Sequence, residues 1–239
     1  MAYQSVFKRY ELKYLLTAKQ KETILAAMEP HMAPDPYGRT TIRSLYFDTD
    51  NYRLIRNSIS RPAYKEKLRL RSYAQATPDS PIFVELKKKY RSVVYKRRIA
   101  IPEKEAVAWL CGERPCPIQG QIPAEIGYVL DFYETLRPAV FLSYEREAFY
   151  AADGSGFRVT FDDTILCRQE DLSLEAGIYG TPILPEGYIL MEIKCAGGIP
   201  LWMVRILSEN RIYKTSFSKY GTAYKTLIHP KRLEVSHHA

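Results

Sequence analysis

The sequence lacks most of the residue patterns on which familiar catalytic sites are built. Its 239 residues include four cysteines, Cys111, Cys116, Cys167 and Cys195, and none forms a C-x-x-C pair. That spacing argues against a zinc or disulfide framework and fits the reduced thiols of a cytoplasmic protein. The four histidines, His31, His229, His237 and His238, fall at a predicted helix end and in the tail. They give no histidine constellation for acid-base work. No G-x-x-x-x-G-K-[ST] run exists, which excludes a P-loop. Ser216 and Ser218 have no His or Asp constellation in view, so a serine nucleophile is not expected. No apolar run approaches the roughly 20 residues of a membrane span. The opening MAYQSVFKRYELKY has no apolar h-region, so no signal peptide is expected.

What is present is charge of one sign. Thirty-five Lys and Arg stand against 27 Asp and Glu, a formal net charge of +8. Such an excess attracts anions, whether nucleic acid, acidic lipid or phosphate metabolites. Hydrophobic residues make up 46% of the chain, enough for a sizeable core without staples. No linker, repeat or low-complexity tract divides it, so one domain over residues 1–239 is expected, with its core at about 5–226.

The charges follow a pattern. Strand after strand alternates, with charge on one face and aliphatic or aromatic groups on the other. Phe7 to Leu16 sets Arg9, Glu11 and Lys13 against Tyr10, Leu12 and Tyr14. Lys67, Arg69 and Arg71 oppose Leu68 and Leu70, and Glu85 and Lys87 oppose Val84 and Leu86. Lys96 aligns with Arg98, and Tyr144 with Arg146. Arg158, Thr160 and Asp162 oppose Phe157, Val159 and Phe161; Glu192 and Lys194 oppose Met191 and Ile193. A further strand covers Thr41 to Phe47 and ends at Asp48. Helices are predicted between them: from the capping box at Thr17 to about Met32, from Pro102, from about Pro123 to Leu136, from Pro200 to about Asn210, and from Lys219 to about Ile228.

One reading of this pattern is a sandwich whose charged faces meet solvent. The bias of those faces favours another, because solvated faces mix the two signs more evenly. The opposite faces are apolar, and several helices are available to cover them. A barrel with its charges inward and its helices outside satisfies both faces. Buried cations need partners or an anionic ligand. Arginine forks and lysine point charges along a channel suit a linear phosphate chain. The minority carboxylates, Glu11, Glu85, Asp162 and Glu192, could hold Mg²⁺ or Mn²⁺. Basic strands rich in tyrosine could instead bind single-stranded nucleic acid by stacking. The aromatics mostly alternate away from the cations, which argues against nucleic acid as the partner.

The pieces SLYFDTDNYRLIRNSI, KEKLRLRSY, FVELKKKY, VYKRRIAIP, FLSYEREAFY, FRVTFDDTI, LMEIKCAG and SFSKYGTAY resemble, in this order, the VTC domain of polyphosphate polymerases. That domain belongs to the triphosphate tunnel metalloenzymes. The resemblance spans roughly residues 5 to 226 and implies an α+β fold, an antiparallel tunnel barrel of about eight strands with peripheral helices. Its yeast vacuolar relative transfers the γ-phosphate of ATP to a growing polyphosphate chain. Carried over, the catalytic cations are Lys13, Arg69, Arg71, Lys87, Lys96, Arg146, Arg158 and Lys219, the last near a tunnel mouth. Arg9, Lys67, Arg98, Tyr144, Lys194 and Ser218 are expected to contact substrate, and Glu192 to hold the metal. The wider superfamily often opens with E-x-E-x-K, where this chain reads Arg9-x-Glu11-x-Lys13. That departure weakens a two-metal triphosphatase. The resemblance thus implies synthesis of polyphosphate from ATP with Mn²⁺ or Mg²⁺. A triphosphatase, an exopolyphosphatase and a non-catalytic polyphosphate sensor are the alternatives. No membrane span is expected in this chain, although the resemblance allows a membrane partner.

Overall fold

The computed structural model describes residues 6–7, 10–91 and 93–230; Arg9, His237 and His238 lie outside them. In chain order the elements are β1 (Val6–Phe7), β2 (Tyr10–Thr17), α1 (Ala18–Met28), β3 (Met32–Pro34), β4 (Thr40–Asp48), α2 (Arg53–Ile59), β5 (Tyr64–Ser72), β6 (Pro81–Tyr90), β7 (Val93–Pro102), α3 (Glu103–Leu110) and α4 (Gln121–Tyr133). Then follow β8 (Arg137–Ala151), β9 (Arg158–Arg168), β10 (Thr181–Pro182), β11 (Tyr188–Cys195), α5 (Leu201–Glu209), β12 (Lys214–Thr215), α6 (Lys219–Ala223) and a π-helical turn, Tyr224–Ile228. Among the described residues no helix is long and apolar enough to cross a membrane.

All the strands belong to one antiparallel sheet with the ladder order β1-β7-β6-β5-β4-β8-β9-β11-β2-β12, while β3 pairs with β8 and β10 with β9. Eight of the strands have eight or more residues. Among the described residues the ladder does not close by hydrogen bonds, yet its ends must meet. β1 lies at one end beside β7, and β2 lies near the other beside β11. The three chain steps from Phe7 to Tyr10 span at most about 11 Å. A sheet whose two ends lie that close has to curl into a barrel. Glu11 of β2 and Lys87 of β6 meet across its interior at 3.6 Å. Within the segment predicted as a strand over Phe7 to Leu16, β1 ends at Phe7 on β7 and β2 begins at Tyr10 on β11, at opposite sides of the ladder order.

Apolar residues on the outer face form two clusters. Leu68, Leu70, Ile82, Val84 and Leu86 pack under Trp109 and Leu110 of α3 and Ile126 and Val129 of α4. Leu16, Val159, Phe161, Met191 and Ile193 pack under Ile24 and Met28 of α1 and Met203 and Leu207 of α5. Burying each such side chain contributes about 1.5–3 kcal/mol. Ion pairs fasten these helices at their polar edges. Glu125 of α4 accepts from Arg97 at 3.0 Å and Lys88 at 3.4 Å, and Lys21 of α1 pairs with Glu147 of β8.

The predicted helices are present with adjusted ends. The first stops at Met28, and Met32 begins β3. Thr17 and Gln20 form the capping box. The α4 segment starts at Gln121 and ends at Tyr133. The last predicted helix continues as a π turn from Tyr224.

The inner face is not charged throughout. A bulge opposite Tyr144, with Thr164 at φ 46°, shifts the phase of β9, so that Ile165 and Cys167 turn inward. They join Ile42, Val140, Leu142 and Leu190 and pack against Ile55 of α2 and Tyr220, Tyr224 and Ile228 of the C-terminal helical segment. That segment fills part of the barrel interior instead of lying outside.

Asp48 anchors this internal wall. Its buried carboxylate accepts the N–H groups of Thr49, Leu54 and Ile55 and the hydroxyl of Tyr220 at 2.8 Å. The α2 helix begins after Tyr52, which adopts φ 59°, so its carboxylate cap comes from several residues upstream. No adjacent N-cap signal marks the helix, and sequence reasoning missed it. Replacing Asp48 by Ala strands three buried donors and the Tyr220 hydroxyl. Asp48→Ala should cost about 3 kcal/mol or more of stability, measured by urea unfolding.

Candidate functional site

The remaining inner face borders a cavity of about 450 Å³ lined, among the described residues, by twelve lysines and arginines against three glutamates. β5 and β6 supply Lys67, Arg69, Arg71 and Lys87, because their alternation turns these residues inward and Leu68, Leu70 and Leu86 outward. Lys13 comes from β2, Tyr144 and Arg146 from β8, and Glu192 and Lys194 from β11. Ser218 and Lys219 come from the start of α6, where the Ser218 hydroxyl caps the helix by accepting from Gly221 N–H.

The carboxylates hold the cations apart. Glu192 is surrounded by Lys13 at 3.1 Å, Lys219 and Arg146 at 3.4 Å, and Lys194 at 3.6 Å. Behind it, fully buried Asp162 takes a two-pronged contact from Arg146 at 2.6 Å and another from Lys219. Glu85 binds Arg69 and Lys96 at 2.7 Å, Arg98 at 3.5 Å and Arg71 at 3.8 Å. Burial raises the pKa of Glu192, Glu85 and Asp162, but their cationic neighbours outweigh it and hold all three below their ordinary values. Glu11 behaves alike: burial is outweighed by Lys87, Lys13 and Lys194, which bring it to about 2.

Not every predicted residue reaches the cavity. Arg158 is exposed at a strand end, where its guanidinium turns to Asp35 at 3.2 Å. It does not converge with Arg69, Arg71 and Arg146. Lys96 and Arg98 do not line the cavity either; both hold Glu85, and Arg98 also stacks on Phe83. Lys219 is buried in the cavity wall, because α6 is packed into the barrel. Glu85 and Asp162 are enclosed by cations behind the lining, so of the four carboxylates only Glu11 and Glu192 line it.

Other lining residues were missed. Lys65 and Lys89 extend the alternation of Lys67 and Lys87 by one step, and carrying the pattern to the strand ends finds them. Tyr46 shares a face with Ser44 and Asp48 on β4. Its hydroxyl oxygen accepts from Arg69 at 2.8 Å, as that of Tyr144 accepts from Arg71 at 3.2 Å. Each tyrosine keeps its own O–H free to donate elsewhere. Arg61 and Lys225 come from a loop and the π turn, where no periodicity announces them.

Among the described residues no set of three or more His, Cys, Asp or Glu side chains is arranged to hold a metal ion. Glu11 and Glu192 can supply one or two oxygens, and phosphate oxygens would have to complete the shell, as Mg²⁺ sites commonly require.

Three lining groups titrate near neutrality. Burial, with Lys87, Lys13 and Lys65 nearby, lowers Lys67 to about 8. Burial and Arg146 lower Lys194 to about 8 against the pull of Glu192. Burial raises Tyr46, but Arg69, Lys67 and Arg71 outweigh it and bring the phenol to about 8. Rising pH therefore removes two positive charges and adds a negative one. Tripolyphosphate affinity should fall about tenfold or more between pH 7 and pH 9, with proton uptake on binding near pH 8. Calorimetry in buffers of different ionisation enthalpy measures both.

The family model of the VTC domain matches residues 8–228. No curated protein matches the chain. A protein from Bacillus halodurans, provisionally assigned as an adenylate cyclase, has a similar fold with TM-score 0.55 and 14% identity, covering 90% of this chain and 96% of its own. A provisionally assigned adenylyl cyclase from Hippeastrum, described as having a dominant triphosphatase activity, aligns with TM-score 0.52 and 15% identity, covering 90% of this chain and 94% of its own. At such identities these likenesses concern the fold. With its curled sheet and cation-lined interior, and a model match over nearly its whole length, the chain belongs to the VTC domain family of the triphosphate tunnel fold.

Proposed function

We propose that the chain extends polyphosphate by phosphoryl transfer from ATP inside the basic cavity. The observation that carries this reading is the imbalance of the lining, twelve cations to three glutamates among the described residues, in a partly open space walled by strands and α6. A terminal phosphate oxygen of the acceptor chain attacks the γ-phosphorus, the bond to the β,γ-bridging oxygen breaks, and ADP leaves. Arg69, Arg71 and Arg146 present forked donors to equatorial phosphate oxygens, while Lys13, Lys67, Lys87 and Lys194 act as point charges. Lys67 also donates to Ser218 Oγ at 3.0 Å, which fixes its ammonium at the wall. A divalent ion held by Glu192 and Glu11 would add neutralising charge between phosphate oxygens.

The depressed pKa values bear on the choice of acceptor. Attacking water must give up a proton, and Glu192, Asp162 and Glu11, held below their ordinary values by cations, are weak bases. An ionised phosphate oxygen attacks without a base. This supports a polymerase over a triphosphatase. The second reading, hydrolysis of triphosphate, draws on the activity described for the Hippeastrum protein.

Incubation with ATP and Mn²⁺ or Mg²⁺ separates the two. Long chains resolved on a gel support the polymerase, orthophosphate alone supports the hydrolase, and tight binding without turnover leaves a sensor. In the active enzyme, Glu192→Gln should lower metal-dependent turnover at least about a hundredfold through lost charge stabilisation. It should keep tripolyphosphate binding, because the cationic lining is intact. Unchanged turnover with the parent's Mn²⁺ dependence removes Glu192 as a metal ligand.

A further inference from the structure

Two of the glutamates that line the cavity, Glu11 and Glu192, already share one cation between them. The ammonium of Lys13 lies 3.2 Å from Glu11 Oε1 and 3.1 Å from Glu192 Oε1. The remaining oxygens are also engaged: Glu11 Oε2 faces Lys87 at 3.6 Å, and Glu192 Oε2 faces Arg146 at 3.4 Å and Lys194 at 3.6 Å. The ladder fixes the arrangement, since Lys13 and Glu192 are direct partners across β2 and β11, and so are Glu11 and Lys194.

We infer that Lys13 is a resident cation occupying the place between Glu11 and Glu192 that a divalent ion would bridge, so that the empty cavity excludes metal and admits it only with a phosphate chain. The inference rests on the phosphate-chain reading of the cavity. A divalent ion entering alone meets a lining of unbalanced positive charge, and its two carboxylate ligands would have to leave their ammonium and guanidinium partners. A phosphate chain changes both conditions. It brings negative charge, supplies oxygen ligands, and offers Lys13, Lys87 and Lys194 new anionic partners, which frees the carboxylate oxygens. Metal and phosphate chain then bind with positive coupling, and each raises the affinity for the other by the same factor.

The test uses the whole chain and Mn²⁺ followed by electron paramagnetic resonance, so that binding is read without turnover. The native protein alone should leave Mn²⁺ free up to about 1 mM, whereas Mn²⁺ with tripolyphosphate should become immobilised on the protein. Lys13→Met removes the resident charge at similar length. It should bind Mn²⁺ without phosphate, with Kd at or below about 100 µM, and adding Glu11→Gln to it should abolish that gain. Lys13→Gln serves as a second variant if Lys13→Met does not fold. Stoichiometric Mn²⁺ binding by the native chain without phosphate would overturn the inference, as would a folded Lys13 variant that gains none. Failure of tripolyphosphate to bind the native chain would instead sink the polyphosphate reading, and the Mn²⁺ comparison of native and Lys13 proteins would still decide the role of Lys13.

Discussion

The contact on which the structure depends is the set of carboxylates threaded among inward-facing cations. Curling the sheet brings Lys13, Arg146, Lys194 and Lys219 around one point, and Arg69, Arg71, Lys96 and Arg98 around another. Without Glu192 and Asp162 at the first and Glu85 at the second, mutual repulsion in a partly desolvated space would oppose the curl. The carboxylates offset part of that repulsion and leave the rest for a polyanion. The barrel interior is thus held together and left electrostatically unsatisfied by the same groups.

The apolar parts follow from that arrangement. Once charge occupies the inner face, the outer face must be covered, and α1 and α5 shield one side while α3 and α4 shield another. The C-terminal segment does something different. It packs on an apolar part of the inner face, fixed by Tyr220 on Asp48, and so carries Ser218 and Lys219 into the cavity wall. Two residues of the site are therefore placed by an apolar contact and a buried hydrogen bond rather than by the sheet.

The same electrostatics shape the chemistry. Carboxylates engaged by several cations make poor bases, and Lys67, Lys194 and Tyr46, crowded near neutral pKa values, make the cavity's charge responsive to its occupant. Such a site suits a ligand that brings its own negative charge. Positioning and charge stabilisation then do most of what phosphoryl transfer requires.

Alternation by itself determined the strands, their charged faces and most of the lining, since a period of two assigns each residue to a face whatever the fold. With basic residues so dominant on those faces, it also indicated that they point inward. It could not reveal which charged residue lies at which depth. Arg158 shares its face with Asp162, yet a strand end lets it turn out to Asp35. Lys96 and Arg98 have the phase of lining residues, but both turn to the buried Glu85. The bulge in β9, the distant cap that Asp48 gives α2 and the burial of Lys219 are all set by contacts between residues far apart in the chain. Faces are a local property of the backbone, whereas depth and partnership depend on how far the sheet curls and what fills it, and only the tertiary structure decided those.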